Sequence, residues 1–132
     1  MKTFFDPSSI AVIGATPREN SLGSQILVNL SMGFTGGVYP VNPNYAEIQS
    51  LPCFPTVEGI PGPVDLAIVI VPAPAVPEAL IACGRKGIRR VIIESAGFAE
   101  TGAEGRALQE RCLAVAREAG IRLWGPNCMG LG

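Results

Sequence analysis

Five short apolar runs stand out along the chain, and polar or glycine-rich segments separate them. Each run is largely continuous rather than alternating, which is typical of parallel strands that are buried on both faces of a sheet. In chain order, the predicted strands cover residues 9–13, 37–42, 65–71, 91–94 and 121–124. Pro40 lacks a backbone N–H group, so we expect the second strand to be irregular or to lie at an exposed edge.

Segments between these strands have apolar residues at helical spacing. Ser21 can cap a first helix that ends at Gly33. Its apolar positions are Leu22, Ile26, Leu27 and Leu30. A second helix is predicted over about residues 74–86, because proline is tolerated in a first turn and Gly87 follows as a C-terminal stop.

The third helix has a well-marked start, whereas the connection before the third strand has no regular pattern. Residues 101–104 match a capping box, in which Thr101 and Glu104 would exchange bonds with the backbone, and the helix should end before Gly120. Residues 43–63 are rich in loop-forming residues. Within them we predict a short strand at 51–54 and a helical turn at 57–60.

Strands that alternate with helices in this way predict an α/β fold. Right-handed crossovers would give a Rossmann-like, doubly wound, mostly parallel sheet with helices on both faces. The 132 residues, of which 48% are hydrophobic and 16% charged, can bury one core and are not typical of a disordered chain. We therefore interpret residues 1–132 as a single domain.

Charge and cysteine usage exclude several classes of function. A net charge of −1 gives no electrostatic reason to expect nucleic acid or an anionic membrane as a partner. No apolar run approaches the roughly 20 residues of a membrane span, and Asp6 interrupts the start too early for a signal peptide. Four scattered cysteines and no histidine make a zinc site unlikely and fit a reducing cytoplasm. Without histidine, this segment lacks a general base that titrates near neutral pH.

The ends of the predicted strands supply the candidate ligand site, because ligands of open α/β sheets bind outside the carboxyl ends of the strands. The residues at these ends are small or polar and uncharged, so a flat, phosphate-bearing ligand can approach the backbone. They are Gly14-Ala15-Thr16, Asn42-Pro43-Asn44, Val71-Pro72-Ala73, Ser95-Ala96-Gly97 and Gly125-Pro126-Asn127.

The first of these ends combines a glycine turn with a helix start, an arrangement that favours phosphate binding. The next glycine after Gly14 is Gly23, so the GxGxxG spacing of dinucleotide-binding domains is absent. The longer loop instead contains Arg18, which can reach a phosphate, and Ser21 at the helix start. The alternative interpretation is a surface loop with an ordinary helix cap.

The second strand ends in Asn42, where a NAD-binding domain usually has a carboxylate for the ribose 2′-hydroxyl. An amide can donate hydrogen bonds to a phosphorylated ribose, whereas a carboxylate would repel it. This residue disfavours NAD and leaves NADP, coenzyme A (CoA) or another phosphorylated nucleotide open. Alternatively, Asn42 and Asn44 only shape a turn around Pro43.

No residue is predicted to be catalytic. Glu94, Glu100 and Glu104 lie loosely together in sequence, but Glu104 is better explained by the capping box and Glu100 by the helix start. Cys128 has no histidine to activate it, so we expect it to be inert.

Several motifs together resemble one family, the N-terminal CoA-binding domain of ADP-forming (NDP-forming) acyl-CoA synthetases, which is related to the alpha subunit of succinyl-CoA synthetase. The similarity extends over essentially the whole chain. Its motifs are residues 5–15, 38–43, 64–67, 71–73, 95–102 and 125–130. The resemblance implies that the domain binds the ADP moiety of CoA or acyl-CoA.

The resemblance also implies which residues meet each part of CoA. The pyrophosphate would meet Gly14, Ala15, Thr16, Pro17, Arg18, Ser21 and Gly23. The ribose and its 3′-phosphate would lie beside Asn42, Pro43 and Asn44. The adenine would lie beside Val71, Pro72 and Ala73. The pantetheine would extend along Ser95, Ala96 and Gly97. The family often has a lysine where this chain has Asn44.

Full-length synthetases continue into a second domain with the histidine that is phosphorylated. By resemblance, this chain is therefore one domain of a longer cytoplasmic protein and should not ligate anything alone. Two alternatives stay open. One is a CoA-sensing regulatory domain of a fused protein lysine acetyltransferase, and the other is an NADP-binding oxidoreductase domain. The missing GxGxxG spacing and the lack of a catalytic acid or base count against the second.

Overall fold

A five-stranded parallel sheet forms the centre of the computed structural model, which describes residues 8–18, 21–94 and 102–124. The strands are β1 (Ser9–Ile13), β2 (Gly37–Val41), β3 (Glu47–Ile48), β4 (Leu51–Pro52), β5 (Leu66–Val69), β6 (Arg90–Ile93) and β7 (Arg122–Trp124). The helices are α1 (Leu22–Gly33), α2 (Val76–Lys86) and α3 (Ala103–Ala119). The sheet order is β2-β1-β5-β6-β7, and β3 and β4 form a separate antiparallel hairpin.

The predicted doubly wound arrangement is confirmed by the two apolar clusters that cover the sheet. On β1, Ala11 and Ile13 belong to one cluster and Val12 belongs to the other, as expected for side chains that alternate between faces. The first cluster contains Leu80 of α2 and Cys112 of α3. The second contains Leu27 of α1 and residues of the β3–β4 hairpin. Helices therefore lie on both faces. The crossover through α1 runs from β1 to β2 on one side of β1, and the crossovers through α2 and α3 connect β5, β6 and β7 on the other side.

The helix ends follow the predicted signals with two exceptions, the end of α1 and the start of α3. Gly33 is the last residue of α1 rather than a left-handed stop after it, and Phe34 is the C-cap residue in an extended conformation. The Ser21 hydroxyl caps α1 by accepting a hydrogen bond from the Ser24 N–H at 3.1 Å. Gly87 and Gly120 have φ values of +91° and +71° and end α2 and α3 as left-handed caps. The capping box before α3 was the wrong interpretation. Gly102 is the N-cap residue at φ +64° and has no side chain to offer, so Glu104 is one position too early for the reciprocal bond.

The connection between β2 and β5 contains the elements that the sequence indicated, in shorter form. The predicted strand at 51–54 is limited to β4, and Phe54 instead forms an isolated parallel bridge with Val41. The helical turn is a 3-10 helix at Val57–Gly59. Strand β2 lies at the sheet edge, as Pro40 predicted, and the Pro40 carbonyl accepts the Phe54 N–H at 3.0 Å. Within the described ranges, no helix is long and apolar enough to cross a bilayer.

Candidate functional site

A pocket of about 440 Å³ opens at the carboxyl ends of β1, β2 and β5. This is the point where the chain reverses its direction across the sheet, because β1 lies between β2 and β5. Such a switch point is the usual ligand site of open α/β sheets. Predicted site residues that line the pocket are Gly14, Asn42, Pro43, Asn44, Val71 and Pro72.

Gly14 allows the backbones of β1 and β5 to approach each other at the floor of this pocket. Its φ is +97°, and a Cβ atom there would lie 3.0 Å from the backbone N of Val71. The Gly14 N–H donates to the Val41 carbonyl at 2.9 Å. This N–H therefore fixes β1 against β2 rather than facing a ligand, and the glycine contributes space.

Asn42 ties the end of β2 to the loop after β1. Its side-chain Nδ2 donates to the Ala15 carbonyl at 2.8 Å, and its Oδ1 accepts the Asn44 N–H at 2.8 Å. The bond to the Asn44 N–H shapes the turn around Pro43, whereas the bond to Ala15 reaches a different loop. An amide nitrogen has two donors, and Ala15 takes one of them.

The loop from Ala15 to Arg18 is closed by its own side chains. Ala15 is buried and Pro17 is exposed. The Thr16 hydroxyl accepts the Arg18 N–H at 3.2 Å, and the Ser21 hydroxyl donates to the Arg18 carbonyl at 2.7 Å. The Arg18 side chain is exposed, and neither Arg18 nor its loop neighbours Thr16 and Pro17 line the pocket.

Gly23 brings the first turn of α1 close to this loop. A Cβ atom at Gly23 would lie 3.0 Å from Ile70 Cδ1 and 3.2 Å from both Ala15 Cα and the Thr16 N. The N–H groups of Leu22 and Gly23 have no acceptor within the helix, as at every helix start. The partial positive charge at this end lies beside the loop after β1.

The end of β5 is only partly arranged as predicted. Val71 and Pro72 line the pocket, whereas Ala73 is buried and begins a 3-10 turn at Ala73–Ala75. Ser95, Ala96 and Gly97, together with Glu100, Thr101, residues 125–127 and Cys128, lie outside the described residues.

The sequence did not predict the wall of the pocket that α2 and the β4–β5 connection form. Pocket-lining residues without a sequence prediction include Pro55, Thr56, Val57, Glu78, Ala79 and Ala82. They come from the β4–β5 connection and from one face of α2, and no local motif marks them. The parallel bridge between Val41 and Phe54, which places residues 55–57 at the pocket, is visible only in three dimensions.

The described lining of the pocket is mostly apolar or uncharged. Glu78 is its one charged lining residue among those described, and it is exposed in the first turn of α2. Burial raises the pKa of Cys83 to about 12 and that of Cys112 to about 11, so both thiols stay protonated at neutral pH. Among the described ranges, no cluster of side chains has the makeup of a metal site.

Comparison with known proteins identifies the family. A protein-family model described as CoA binding domain matches residues 8–132. The chain belongs to the CoA-binding domain family. Coenzyme A is thus the ligand of this domain, in agreement with the sequence prediction.

Close relatives of this CoA-binding domain are parts of ADP-forming ligases. Acetate–CoA ligase [ADP-forming] I of Archaeoglobus fulgidus is 48% identical over 131 residues, which cover 99% of this chain and 19% of that protein. The alpha subunit of acetate–CoA ligase [ADP-forming] II of Pyrococcus furiosus is 44% identical over 128 residues, which cover 97% of this chain and 28% of that subunit. The chain therefore spans less than a third of the length of either relative.

A solved structure supports the same assignment of fold. The apo form of dinucleotide-forming acetyl-coenzyme A synthetase 1 from Ca. Korarchaeum cryptofilum superposes with a TM-score of 0.85 and 41% identity. The match covers 92% of this CoA-binding domain and 26% of that chain. The Rossmann-like prediction is confirmed.

Proposed function

We propose that this domain is the CoA-binding module of an ADP-forming acyl-CoA synthetase of the acetyl-CoA type. The parent reaction converts acyl-CoA, ADP and phosphate reversibly into the acid, CoA and ATP. The module would bind and orient the cofactor, and other domains would supply the phosphorylated group. The observation that carries the proposal is the pocket at the switch point of the sheet, where Gly14, Asn42 and Val71 line one cavity.

The proposed placement of CoA extends from the pocket to the neighbouring first turn of α1. The diphosphate lies at the first turn of α1, where helix N–H groups and the helix dipole favour an anion. The ribose and its 3′-phosphate lie beside Asn42 and Asn44. The adenine lies between Val71 and Pro72 and the apolar wall of α2.

Arg18 is proposed as the cation for the phosphates. Asn44 offers no positive charge where relatives of this type often have lysine. The exposed Arg18 side chain stands on a loop that Thr16 and Ser21 hold closed. A guanidinium group can bind two phosphate oxygens at once.

The setting of the module is also part of the proposal. We expect further domains of a longer protein to contact it and expect the protein to be cytoplasmic. We expect no nucleic acid partner, because the net charge is −1.

Calorimetric titration with CoA, dephospho-CoA, NADP and NAD tests the proposed ligand and its placement. We expect CoA to bind most tightly and dephospho-CoA to bind about tenfold more weakly, because a charge-assisted phosphate contact is worth about 1.5 kcal/mol. Equal affinity for CoA and dephospho-CoA would remove the 3′-phosphate from the site. Selective binding of NADP would overturn the proposal.

Substitution of Arg18 tests the cation. Arg18→Ala should weaken CoA binding by about three- to tenfold, since an exposed ion pair contributes about 1 kcal/mol or less and a bidentate phosphate contact somewhat more. The matched control is Arg111→Ala, which removes an exposed arginine from α3, the helix on the opposite face of the sheet from α1. Titration of both variants at low and high salt checks the charge dependence. An unchanged affinity of Arg18→Ala would exclude this side chain from the site.

A further inference from the structure

The turn of the β3–β4 hairpin has an unusual backbone. Gln49 and Ser50 have φ values of +52° and +68°, and neither is glycine. A two-residue hairpin turn with two positive φ values strongly favours Asn-Gly, because other side chains meet the backbone in this region. Strained residues of this kind persist only where the surrounding structure holds them, and they are common at ligand clamps.

Buried contacts on both sides hold this turn in place. Ile48, directly before it, is 1% exposed and packs in the same cluster as Leu27 of α1. After the turn, the Cys53 N–H donates to the Ala46 carbonyl at 2.9 Å, which closes the hairpin. Apolar packing against α1 and the bond that closes the hairpin therefore hold it in place without any contribution from the polar contact at its tip.

The tip reaches the first turn of α1 through one side chain. Gln49 Nε2 lies 3.3 Å from the Ser24 carbonyl oxygen and 3.2 Å from the Ser24 hydroxyl. Ser24 is the residue whose N–H is donated to the capping hydroxyl of Ser21. The Gln49 amide thus contacts the same turn that carries the N–H groups of Leu22 and Gly23.

The residues that follow the hairpin are bonded to Asn42, which lines the pocket at the end of β2. The Asn42 N–H donates to the Phe54 carbonyl at 2.9 Å, and the Cys53 thiol lies 3.5 Å from the Asn42 carbonyl oxygen. One short segment therefore links Asn42, at the end of β2, to Ser24, in the first turn of α1.

We propose that Gln49 is a positioning residue for CoA, and that the β3–β4 hairpin holds the first turn of α1 in register with the end of β2. This inference rests on the proposed placement of the diphosphate at α1. Gln49 does not line the pocket and acts through Ser24. The strained turn is retained because it aims the amide at α1.

Two variants separate the positioning role from simple hairpin stability. Gln49→Asn keeps an amide and tolerates positive φ, but its side chain is one methylene shorter and cannot span the distance to Ser24. Ser50→Gly relieves the backbone strain and leaves the Gln49 contact in place. We expect Gln49→Asn to bind CoA about three- to tenfold more weakly, because the first turn of α1 is no longer held in place. Its melting temperature should change little, because the greater tolerance of Asn for positive φ offsets the loss of one or two exposed hydrogen bonds. Ser50→Gly should bind CoA as the unchanged chain does and melt at a higher temperature.

Amide hydrogen exchange provides a readout that needs no ligand. In Gln49→Asn, the N–H groups of Ser24 and Gln25 should exchange faster, while those in the middle of α3 should not change. Unchanged CoA affinity of Gln49→Asn would overturn the positioning role while the proposed function stands, whether or not the exchange of Ser24 and Gln25 changes. If the unchanged chain fails to bind CoA, the proposed function is overturned, and the affinity part of this inference with it.

Discussion

Replacing Gly14 with alanine is expected to destabilise the domain by about 2–5 kcal/mol and to abolish measurable CoA binding. The φ of +97° would cost an alanine about 1–2 kcal/mol. The added Cβ would also lie 3.0 Å from the Val71 N and 3.1 Å from the Ile70 carbonyl carbon. Both are backbone atoms of the segment that follows β5, so they cannot rotate away, and overpacking of this kind costs about 1–3 kcal/mol.

Gly62→Ala is the matched control for this change. Gly62 also has a positive φ, of +82°, but a Cβ atom there would have nothing within 4 Å. It should lose about 1 kcal/mol for the backbone alone and keep its CoA affinity. Urea unfolding gives both stabilities, and titration with CoA gives both affinities. If the two variants lost equal stability, the close approach of Gly14 to Val71 would not contribute, and the interpretation of the pocket floor would be wrong.

The parts of the fold that depend on local signals could be predicted from the sequence. The Ser21 cap and the stops at Gly87 and Gly120 depend on residues within one turn of the helix end, and the structure has them as predicted. The capping box before α3 was predicted from local residues as well, and it was wrong. Gly102 can adopt a positive φ, so it is the N-cap residue and the helix begins one residue later than the capping box requires. Local spacing cannot decide between such competing starts.

The candidate site could be predicted only where topology brings strand ends together. Gly14, Asn42 and Val71 follow three neighbouring strands, so a parallel sheet places them at one edge. The other wall of the pocket has no such signal, because Thr56 of the β2–β5 connection and Ala82 of α2 reach it only through tertiary packing. The sequence also does not predict which acceptor a given backbone N–H group has. Gly14 is a residue that the resemblance places at the pyrophosphate, but its N–H donates to the Val41 carbonyl of β2.

The sequence left two roles open for Asn42, the shaping of a turn and contact with a phosphorylated ribose, and a single oxygen-for-nitrogen change tests both. In Asn42→Asp, the Asn44 N–H keeps its acceptor, but the atom that donates to the Ala15 carbonyl at 2.8 Å becomes a carboxylate oxygen. Two oxygens would then face each other. We expect a loss of about 1–3 kcal/mol in the free energy of unfolding at neutral pH, since a hydrogen bond is replaced by repulsion between partly buried groups.

The same change should weaken CoA binding by about 30-fold or more, because a negative charge beside a phosphate costs about 2 kcal/mol at the effective dielectric constant of a protein surface. Dephospho-CoA should lose less affinity than CoA, since the 3′-phosphate is the group placed nearest to Asn42. Asn44→Asp is the matched control. It adds the same charge to the pocket but leaves the bond between Asn42 and Ala15 intact, so it should weaken CoA binding with little loss of stability.

The pH dependence of stability provides a second signature for Asn42→Asp. The Ala15 carbonyl disfavours the charged form, so the pKa of the introduced carboxyl should be higher in the folded state than in the unfolded state. A protonated carboxyl can again donate to Ala15. The variant should therefore be closest to the stability of the unchanged chain below the unfolded pKa of about 3.9, and the deficit should grow as pH rises through the folded pKa. Urea unfolding between acidic and neutral pH measures this. A deficit that does not depend on pH would mean that the bond to Ala15 does not hold the end of β2, and the effect of the variant on CoA would then come from the introduced charge alone.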